Sequence, residues 1–473
     1  MRNVDQEFEA QLRAGLPAAV FRPLTSHYME EPRGQFHGSD GLVLAPGTVD
    51  EVSTILRTCH QASVPVVPFG GGTGLVGGQV MPAELCARPV ILSMERMTRV
   101  RDIYPDENVL VAEAGAILAD VQSAAEQVDR LFPLSLASEG SCRIGGCLST
   151  NAGGVNVLRY GNARALCLGL EAVLPDGRIW HGLKRLRKDN TGYDLVNLLC
   201  GAEGTLGVIT AASLRLSPRP RSVATALLVV DRPAAALSLL TLVQTQLGEG
   251  ISAFELISGV GLAFLEEAGM GGPQPFKAHP PWTVLIELGL GGVGQAQAAL
   301  LDLFEAALEK GLVSDGVIAQ SDAQRLALWK LREEIPLANR HVGAISSHDI
   351  SLPLSDIPDF LARADALLAA LDPFRINAFG HLGDGNLHYN VFPPKGRSKQ
   401  DYEDQVNQIR EIVYGLVHEY GGSFSAEHGV GRLKTSELER FGDPTRLAAM
   451  RAIKQALDPK GIMNPGVLFA HTS

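Results

Sequence analysis

Two histidines flank a glycine-rich turn in "FGHLGDGNLHYN", residues 379–390. Asp384-Gly385 is a strong signal for a two-residue hairpin turn, because a type I′ turn needs positive φ at both central residues. With that turn, Gly383 faces Asn386, Leu382 faces Leu387, and His381 sits directly opposite His388. Directly opposed residues share a face, with Cβ atoms roughly 4.5–5.5 Å apart. Phe379 and Asn390 join that face, and the two leucines point the other way. Two imidazoles side by side, next to an amide, suit a metal ion. An ordinary surface pair in a hairpin is the plainer alternative, and the stretch alone leaves both readings open.

Other residues could do chemistry beside them. Glu427-His428 in "SAEHGVGRLK" sets a carboxylate beside an imidazole, and Arg332 stands in the charged stretch "WKLREEI". Each has an ordinary counterpart: a loop pair for the first, a solvated charge run with Glu333 and Glu334 for the second. His348 beside Asp349 reads either as a second candidate base or as a structural pair.

The elements that must position these groups fall into two rhythms. In the first, Thr48 and Glu51 form a capping box, and Val52, Ile55, Leu56 and Cys59 then repeat on one helical face. The buried strand "VPVV" leads into "PFGGGTGLVGG", with six glycines between positions 70 and 78. Residues 72–77 match G-x-G-x-x-G, and Glu95 lies where a dinucleotide fold keeps its ribose-binding acid. That fold needs a crossover helix beginning inside the loop, yet "QVMPAELCARP" carries Pro82 and Pro89 and leaves too little room. A loop cradling a pyrophosphate through backbone amides, without a helix dipole, fits better. The run 137–154, "ASEGSCRIGGCLSTNAGG", is nearly all small and hydroxyl residues and suits backbone passing close to a large flat ligand. A hairpin at Asp176-Gly177, another glycine turn in "GAEGTLGVIT" and a Pro/Arg linker near 217–222 follow. Beyond the linker the rhythm is strand–helix–strand. Helices are expected at 233–247, 294–310, 320–340, 356–371 and 402–420, and a last one is stopped by Pro459.

The chain's 473 residues exceed what one hydrophobic core spans, so two or more domains are expected. A net charge of −11, with no basic stripe, argues against nucleic acid as a partner. No apolar run approaches the roughly 20 residues of a membrane span. The charged start, "MRNVDQEFEAQL", lacks the apolar core of a signal peptide, which sets a cytoplasmic location as the expectation. Six cysteines without a C-x-x-C argue against cysteine-ligated zinc or iron–sulfur clusters. Redox chemistry would therefore need an organic cofactor or a metal without thiolate ligands.

Together these stretches resemble a known family. "PFGGGTGLVGG", "EGSCRIGGCLSTNAGG", "RYGNARALCLGLEAVLPDG", "RKDNTGYDL", "GAEGTLGVIT", "FGHLGDGNLH", "SAEHGVGRLK" and "LDPKGIMNPG" stand in the order found in FAD-linked D-2-hydroxyacid dehydrogenases, the D-lactate and D-2-hydroxyglutarate dehydrogenases of the vanillyl-alcohol oxidase and p-cresol methylhydroxylase superfamily. The likeness runs from about residue 36 to 467. It implies an α+β protein: a two-subdomain FAD-binding domain at 36–217 after an N-terminal extension at 1–35, an α+β, ferredoxin-like cap domain at 218–425, and a segment 426–473 that returns to the FAD domain. Pro68, Gly70, Gly71, Gly72, Thr73, Gly74 and Leu75 match the pyrophosphate loop. Gly140, Ser141, Ile144, Gly145, Gly146, Thr150, Asn151 and Gly153 match the second flavin segment. Gly204, Gly207 and Ile209 match the third, and Asn464 the C-terminal return. The resemblance assigns a divalent metal, with zinc the choice, to His381, His388 and Glu427; the catalytic base to His428; and substrate contacts to Arg332 and Asn390.

The chemistry implied is oxidation of a D-2-hydroxy acid to the 2-oxo acid. The metal acidifies the hydroxyl, His428 removes its proton, and hydride passes to flavin N5. FAD is expected to be noncovalent, since no obvious attachment residue lies in the glycine segments. A separate acceptor — an electron-transfer flavoprotein, a quinone or a cytochrome — must reoxidise it, and a homodimer is a further expectation. Two positions depart from the family: Ser347, where lysine is usual, and Pro336, where some members carry a hydroxyl. Without that lysine a second carboxylate lacks its cation, so D-lactate or another monocarboxylate is expected to outperform D-2-hydroxyglutarate. Two other classes stay in view. A metal-dependent hydrolase would leave the glycine segments without a role, and a non-catalytic flavin-binding subunit would carry flavin that no substrate bleaches.

Overall fold

The computed structural model describes residues 2–470. They group into two compact units, the first made of residues up to 153, 160–218 and 427 onward, the second of 154–159 and 219–426. The N-terminal stretch belongs to the first unit, where Phe8 and Leu12 of helix Gln6–Gly15 are buried in the core.

In the first unit, Thr48 caps helix Val49–Ala62 by accepting the Glu51 N–H at 3.2 Å. The helix ends at Ser63, whose φ of 56° is left-handed. Its apolar face, Val52, Ile55, Leu56 and Cys59, is fully buried. A four-stranded sheet runs in the order Phe21–Arg22, Leu42–Leu44, Val90–Ser93, Val66–Phe69, the last three parallel. Among the described residues no helix joins Val66–Phe69 to Val90–Ser93, which is why the glycine motif between them is not a dinucleotide fingerprint. A five-stranded antiparallel sheet follows the order Val100–Tyr104, Val109–Glu113, Val208–Arg215, Cys167–Val173, Ile179–Gly182.

The second unit carries most of the candidate chemistry. Its elements are β1 (Ser222–Val230), α1 (Pro233–Leu247), β2 (Ile251–Ser258), α2 (Gly259–Glu267), β3 (Trp282–Leu290), α3 (Gln295–Glu309), β4 (Asp315–Ile318), α4 (Asp322–Val342), β5 (Ser346–Ser351), α5 (Ile357–Ala369), β6 (Arg375–His381), β7 (Asn386–Phe392) and α6 (Val406–Glu419). One seven-stranded antiparallel sheet has the order β4-β1-β3-β2-β6-β7-β5. Its first four strands form two β-α-β units in the 4-1-3-2 arrangement of a ferredoxin-like fold, and β6, β7 and β5 extend the β2 edge.

The long helix α4 is fastened to one face of this sheet by polar contacts at successive turns. Trp329 donates Nε1–H to Glu287 Oε2 at 2.6 Å, and Thr225 on β1 donates to the same oxygen at 2.8 Å. Arg332 reaches Glu255 on β2. Seven residues on, Asn339 Oδ1 accepts from Asn377 Nδ2 on β6 at 2.8 Å, and Asn377 Oδ1 accepts from the Ser258 hydroxyl at 2.8 Å. Asn377 is wholly buried, so its side-chain amide depends on these two partners, and the Ser258 hydroxyl, which also caps α2 by accepting the Gly261 N–H at 3.2 Å, has Asn377 as the acceptor for its proton. Replacing Asn377 by Ala strands the Ser258 hydroxyl and the Asn339 amide. The expected cost is roughly 1–3 kcal/mol. Denaturant melts of Asn377→Ala read it directly, and an unshifted midpoint would count against this fastening.

Candidate active site

The histidine hairpin differs from its expected form. A 3₁₀ turn at Leu382–Asp384, followed by Gly385 at φ 84°, replaces the two-residue turn. Pairing between β6 and β7 stops at Phe379↔His388, so His388 faces Phe379, and His381 lies two residues further on. The slip is two residues, and a shift by the strand period preserves the face. His381 and His388 therefore still share it, diagonally, with ring centroids 5.6 Å apart and planes at 81°. The close backbone around Gly380, where a Cβ would lie 2.5 Å from the Asn386 oxygen, accompanies the longer loop.

The sheet then supplies each histidine with a carboxylate. On β2, Glu255 is paired with His381, and on β5, Asp349 is paired with His388. Glu255 Oε1 meets His381 Nδ1 at 2.7 Å, and Oε2 accepts from Arg332 Nε at 2.7 Å. Glu255 is fully buried, Arg332 and His381 nearly so. Burial pushes the Glu255 carboxyl upward, but the His381 imidazole and the Arg332 guanidinium outweigh it and hold it at about 2. With Nδ1 engaged, metal coordination by His381 would fall to Nε2, the arrangement in which a carboxylate orients a ligating histidine. The Arg332 guanidinium also stacks 4.8 Å from the Phe379 ring centre, so carboxylate binding would fall to its two terminal amino groups. His388 Nδ1 stands 3.9 Å from Asp349 Oδ1. The donor set, imidazole nitrogens backed by carboxylates, fits a divalent ion.

Asn390 is buried on the same face as Asn377, and its amide donates to the His388 carbonyl at 3.1 Å. Ser347 is paired with Asn390 and exposed. His348 is not a candidate base: it is buried on the opposite face, bonded to the Ser346 hydroxyl at 2.9 Å and packed edge-on against Tyr414. Neighbours in a strand point to opposite faces, so the His348–Asp349 side-chain pair read from sequence does not form. Lys330, a conceivable substitute for the missing cation, is exposed, 3.8 Å from Glu334. Pro336 is exposed within α4 and has no N–H to offer the Arg332 carbonyl.

In the first unit, Glu427 and His428 are adjacent, with Glu427 Oε1 and His428 Nε2 3.6 Å apart and both side chains about four-fifths buried. The flavin segments read from sequence lie here too. At Gly71 a Cβ would sit 2.2 Å from the Ser141 carbonyl, and at Gly70 3.5 Å from the Gly146 Cα. The two glycine segments thus run backbone against backbone, offering a ligand peptide groups rather than side chains, which fits a flavin nucleotide's pyrophosphate. Thr73 and Leu75 are half-buried on the first segment; Gly140 is exposed and Gly153 half-buried on the second. Ile144, Gly145 and Gly146 begin helix Ile144–Ser149. Several assigned side chains serve the protein's own backbone instead. Thr150 donates to the Gly146 carbonyl, Asn151 accepts from the Arg164 N–H, and Asn464 donates to the Gly78 and Glu203 carbonyls. Gly204, with φ 69°, packs on Pro68; a Cβ at Gly207 would lie 2.8 Å from the Val173 oxygen; Ile209 is core.

Two residues that hold these groups escaped the sequence reading. Glu255 is a single acid inside the otherwise uncharged "ISAFELIS", and Glu203 stands among glycines in "GAEGTLG". For Glu255, a carboxylate interrupting a buried strand was the available signal; Glu203 lies in a turn and gave none.

Comparison with known proteins gives the same picture. Residues 41–182 match the family described as FAD binding domain, and residues 219–468 match FAD linked oxidases, C-terminal domain. The mitochondrial D-2-hydroxyglutarate dehydrogenase of Arabidopsis thaliana is 38% identical over 439 residues, 93% of this chain and 76% of that protein. The D-2-hydroxyglutarate dehydrogenase of Xanthomonas citri pv. viticola is 38% identical over 90% of this chain and 89% of its own length. Among solved structures, p-cresol methylhydroxylase shares the fold with a TM-score of 0.77 at 15% identity, over 99% of this chain and 98% of that one. Alkyldihydroxyacetonephosphate synthase follows with a TM-score of 0.72 at 17% identity, over 98% of this chain and 85% of that one.

The ion bridge makes an acid-stability prediction. Glu255 titrates near 2 in the folded protein and near 4.3 when unfolded, so its contribution is complete above pH ~4.3 and is lost as pH falls toward about 2. Glu255→Gln never carries that charge. Its stability deficit against wild type is therefore expected to shrink between about pH 4.3 and about pH 2. Denaturant midpoints across that range measure it, and a deficit independent of pH would contradict the assignment.

Proposed function

The chain belongs to the FAD-linked oxidase family, and on that footing we propose that it oxidises a D-2-hydroxy acid to the 2-oxo acid, with D-2-hydroxyglutarate as substrate. The observation that carries the reading is the Arg332–Glu255–His381 bridge, which sets a carboxylate-binding guanidinium beside a carboxylate-oriented imidazole. Relatives named D-2-hydroxyglutarate dehydrogenase, 36–40% identical over at least 90% of this chain, support the five-carbon diacid over the monocarboxylate expected from Ser347. The exposure of Ser347 removes the physical objection to the diacid. An unpaired carboxylate is costly only where it is buried, and a solvated one needs no lysine. A plain hydrolase falls away with the family assignment.

Each residue then has a task. The terminal amino groups of Arg332 pair the substrate carboxylate and fix its orientation. Asn390 spends its amide N–H groups on the Asn377 and His388 carbonyls, so on the same face it offers its side-chain oxygen as an acceptor. His381 and His388, with Glu427, would hold a divalent metal, zinc in our reading, which when bound makes the substrate hydroxyl more acidic. His428 takes the hydroxyl proton as general base. The glycine segments would hold FAD noncovalently, which when bound would supply the hydride acceptor, with a separate carrier for its reoxidation.

Anaerobic bleaching of the flavin absorbance against a panel of D- and L-2-hydroxy acids is the test. D-2-hydroxyglutarate is expected to bleach faster than its L-enantiomer and faster than D-lactate; failure of every D-acid to bleach refutes the proposal. In the same assay, His428→Ala is expected to slow bleaching by about 10²–10⁴-fold, the usual share of a general base, with flavin retained. An unchanged rate removes His428 from that role.

A further inference from the structure

The segment that presents His428 is held by a side chain from far away in sequence. Glu203, buried, spends both carboxylate oxygens on two backbone amides just after that histidine. Oε1 accepts from the Val430 N–H at 2.8 Å, and Oε2 accepts from the Gly431 N–H at 2.7 Å. The turn between histidine and amides is tight, with φ 83° at Gly429 and 55° at Gly431. A Cβ on Gly429 would lie 2.9 Å from Glu203 Oε1, so the carboxylate shapes the turn as well as bonding it.

The same residue is tied into the glycine loops. Its own N–H donates to the Ser149 carbonyl, and its carbonyl accepts from Asn464 Nδ2 at 2.9 Å. Asn464 also donates to the Gly78 carbonyl at 3.0 Å and accepts from Arg432 Nη2 at 3.2 Å. The Arg432 N–H returns to the Val76 carbonyl at 2.9 Å. Glu203 has left-handed backbone, φ 51°, which a residue of its type seldom adopts, and Asn464, at φ 44°, is of a type that tolerates it. The segments at 76–78, 149 and 430–432 are therefore tied together through Glu203 and Asn464.

We propose that Glu203 is a positioning residue for His428, holding the imidazole in register with the glycine loops so that it meets the substrate hydroxyl; this rests on His428 being the base. Gln in its place keeps the shape but aims an NH₂ group at an amide N–H, and one of the two hydrogen bonds is lost. A misplacement of about 1 Å at the reacting group costs about 10²-fold in rate.

The test uses purified, flavin-loaded enzyme and anaerobic flavin reduction by D-2-hydroxyglutarate. Glu203→Gln is expected to keep its flavin-to-protein ratio and substrate Kd while reduction slows by about 10²-fold. In a His428→Ala background, Glu203→Gln is expected to cause no further loss, because residues acting as one unit are not additive. A merely structural Glu203 would give losses that multiply, and that result overturns the proposal. Full-rate Glu203→Gln beside a slow His428→Ala overturns the positioning role alone. A full-rate His428→Ala overturns the base assignment and this proposal with it. Should Glu203→Gln fail to fold, Glu203→Asp, which keeps the charge but retracts it by one methylene, is read by the same criteria.

Discussion

One buried carboxylate organises the second unit. Glu255 lies where water cannot reach it, and an isolated charge there costs several kcal/mol of lost hydration. It stays ionised because Arg332 and His381 each meet one of its oxygens at 2.7 Å. That double engagement makes geometry obligatory. Moving α4 strips Oε2 of its guanidinium and leaves Arg332 unpaired, and rotating His381 strips Oε1 of its imidazole. Either outcome costs about 3–5 kcal/mol by the general cost of breaking a buried pair. The bridge therefore fixes the guanidinium and the imidazole relative to each other more firmly than apolar packing alone would.

The topology explains how residues 77 and 126 positions apart in sequence come to share one acid. The 4-1-3-2 order leaves β2 at the end of the ferredoxin-like sheet, and the histidine hairpin adds itself to that edge. Glu255, His381, His388 and Asp349 then fall on one face, in a row across four neighbouring strands. Helix α4 crosses the same face, with Trp329, Arg332 and Asn339 at turn spacing, each bonded to a polar group on the sheet. A face built of polar clamps in an otherwise apolar core is a place where chemistry has been given rigid supports.

Much of this was legible beforehand, and the gaps have physical causes. Residues 233–247 formed the expected helix because about four turns of helix-favouring, largely apolar sequence leave little choice, and 282–290 formed a strand because the aromatic, β-branched and aliphatic run Trp282–Ile286 carries it past Glu287 and Gly289. The absence of a crossover helix after residue 69 followed from two prolines. The shared face of the two histidines was legible too, though their exact pairing was not. Register depends on the loop's conformation, and Asp384-Gly385 does not reveal that Leu382–Asp384 winds into a 3₁₀ turn. Strand β2 went unread because its alternation is masked by burial on both faces. Its glutamate has no local partner, since Arg332 and His381 arrive only with the tertiary fold. Glu203 was hidden likewise: among glycines it looks like a turn residue, and its ligands lie more than two hundred positions away. The His348–Asp349 pairing failed for the simplest reason, the opposite faces of a strand.

The most direct measurement of the central claim is metal content and substrate affinity in Glu255→Gln, taken together on the same flavin-loaded protein. If one carboxylate orients both His381 and Arg332, the substitution weakens metal binding by about 10–100-fold and raises the KM for D-2-hydroxyglutarate in the same variant. Full metal occupancy with an unaltered KM would show that neither group depends on Glu255, and would contradict the account.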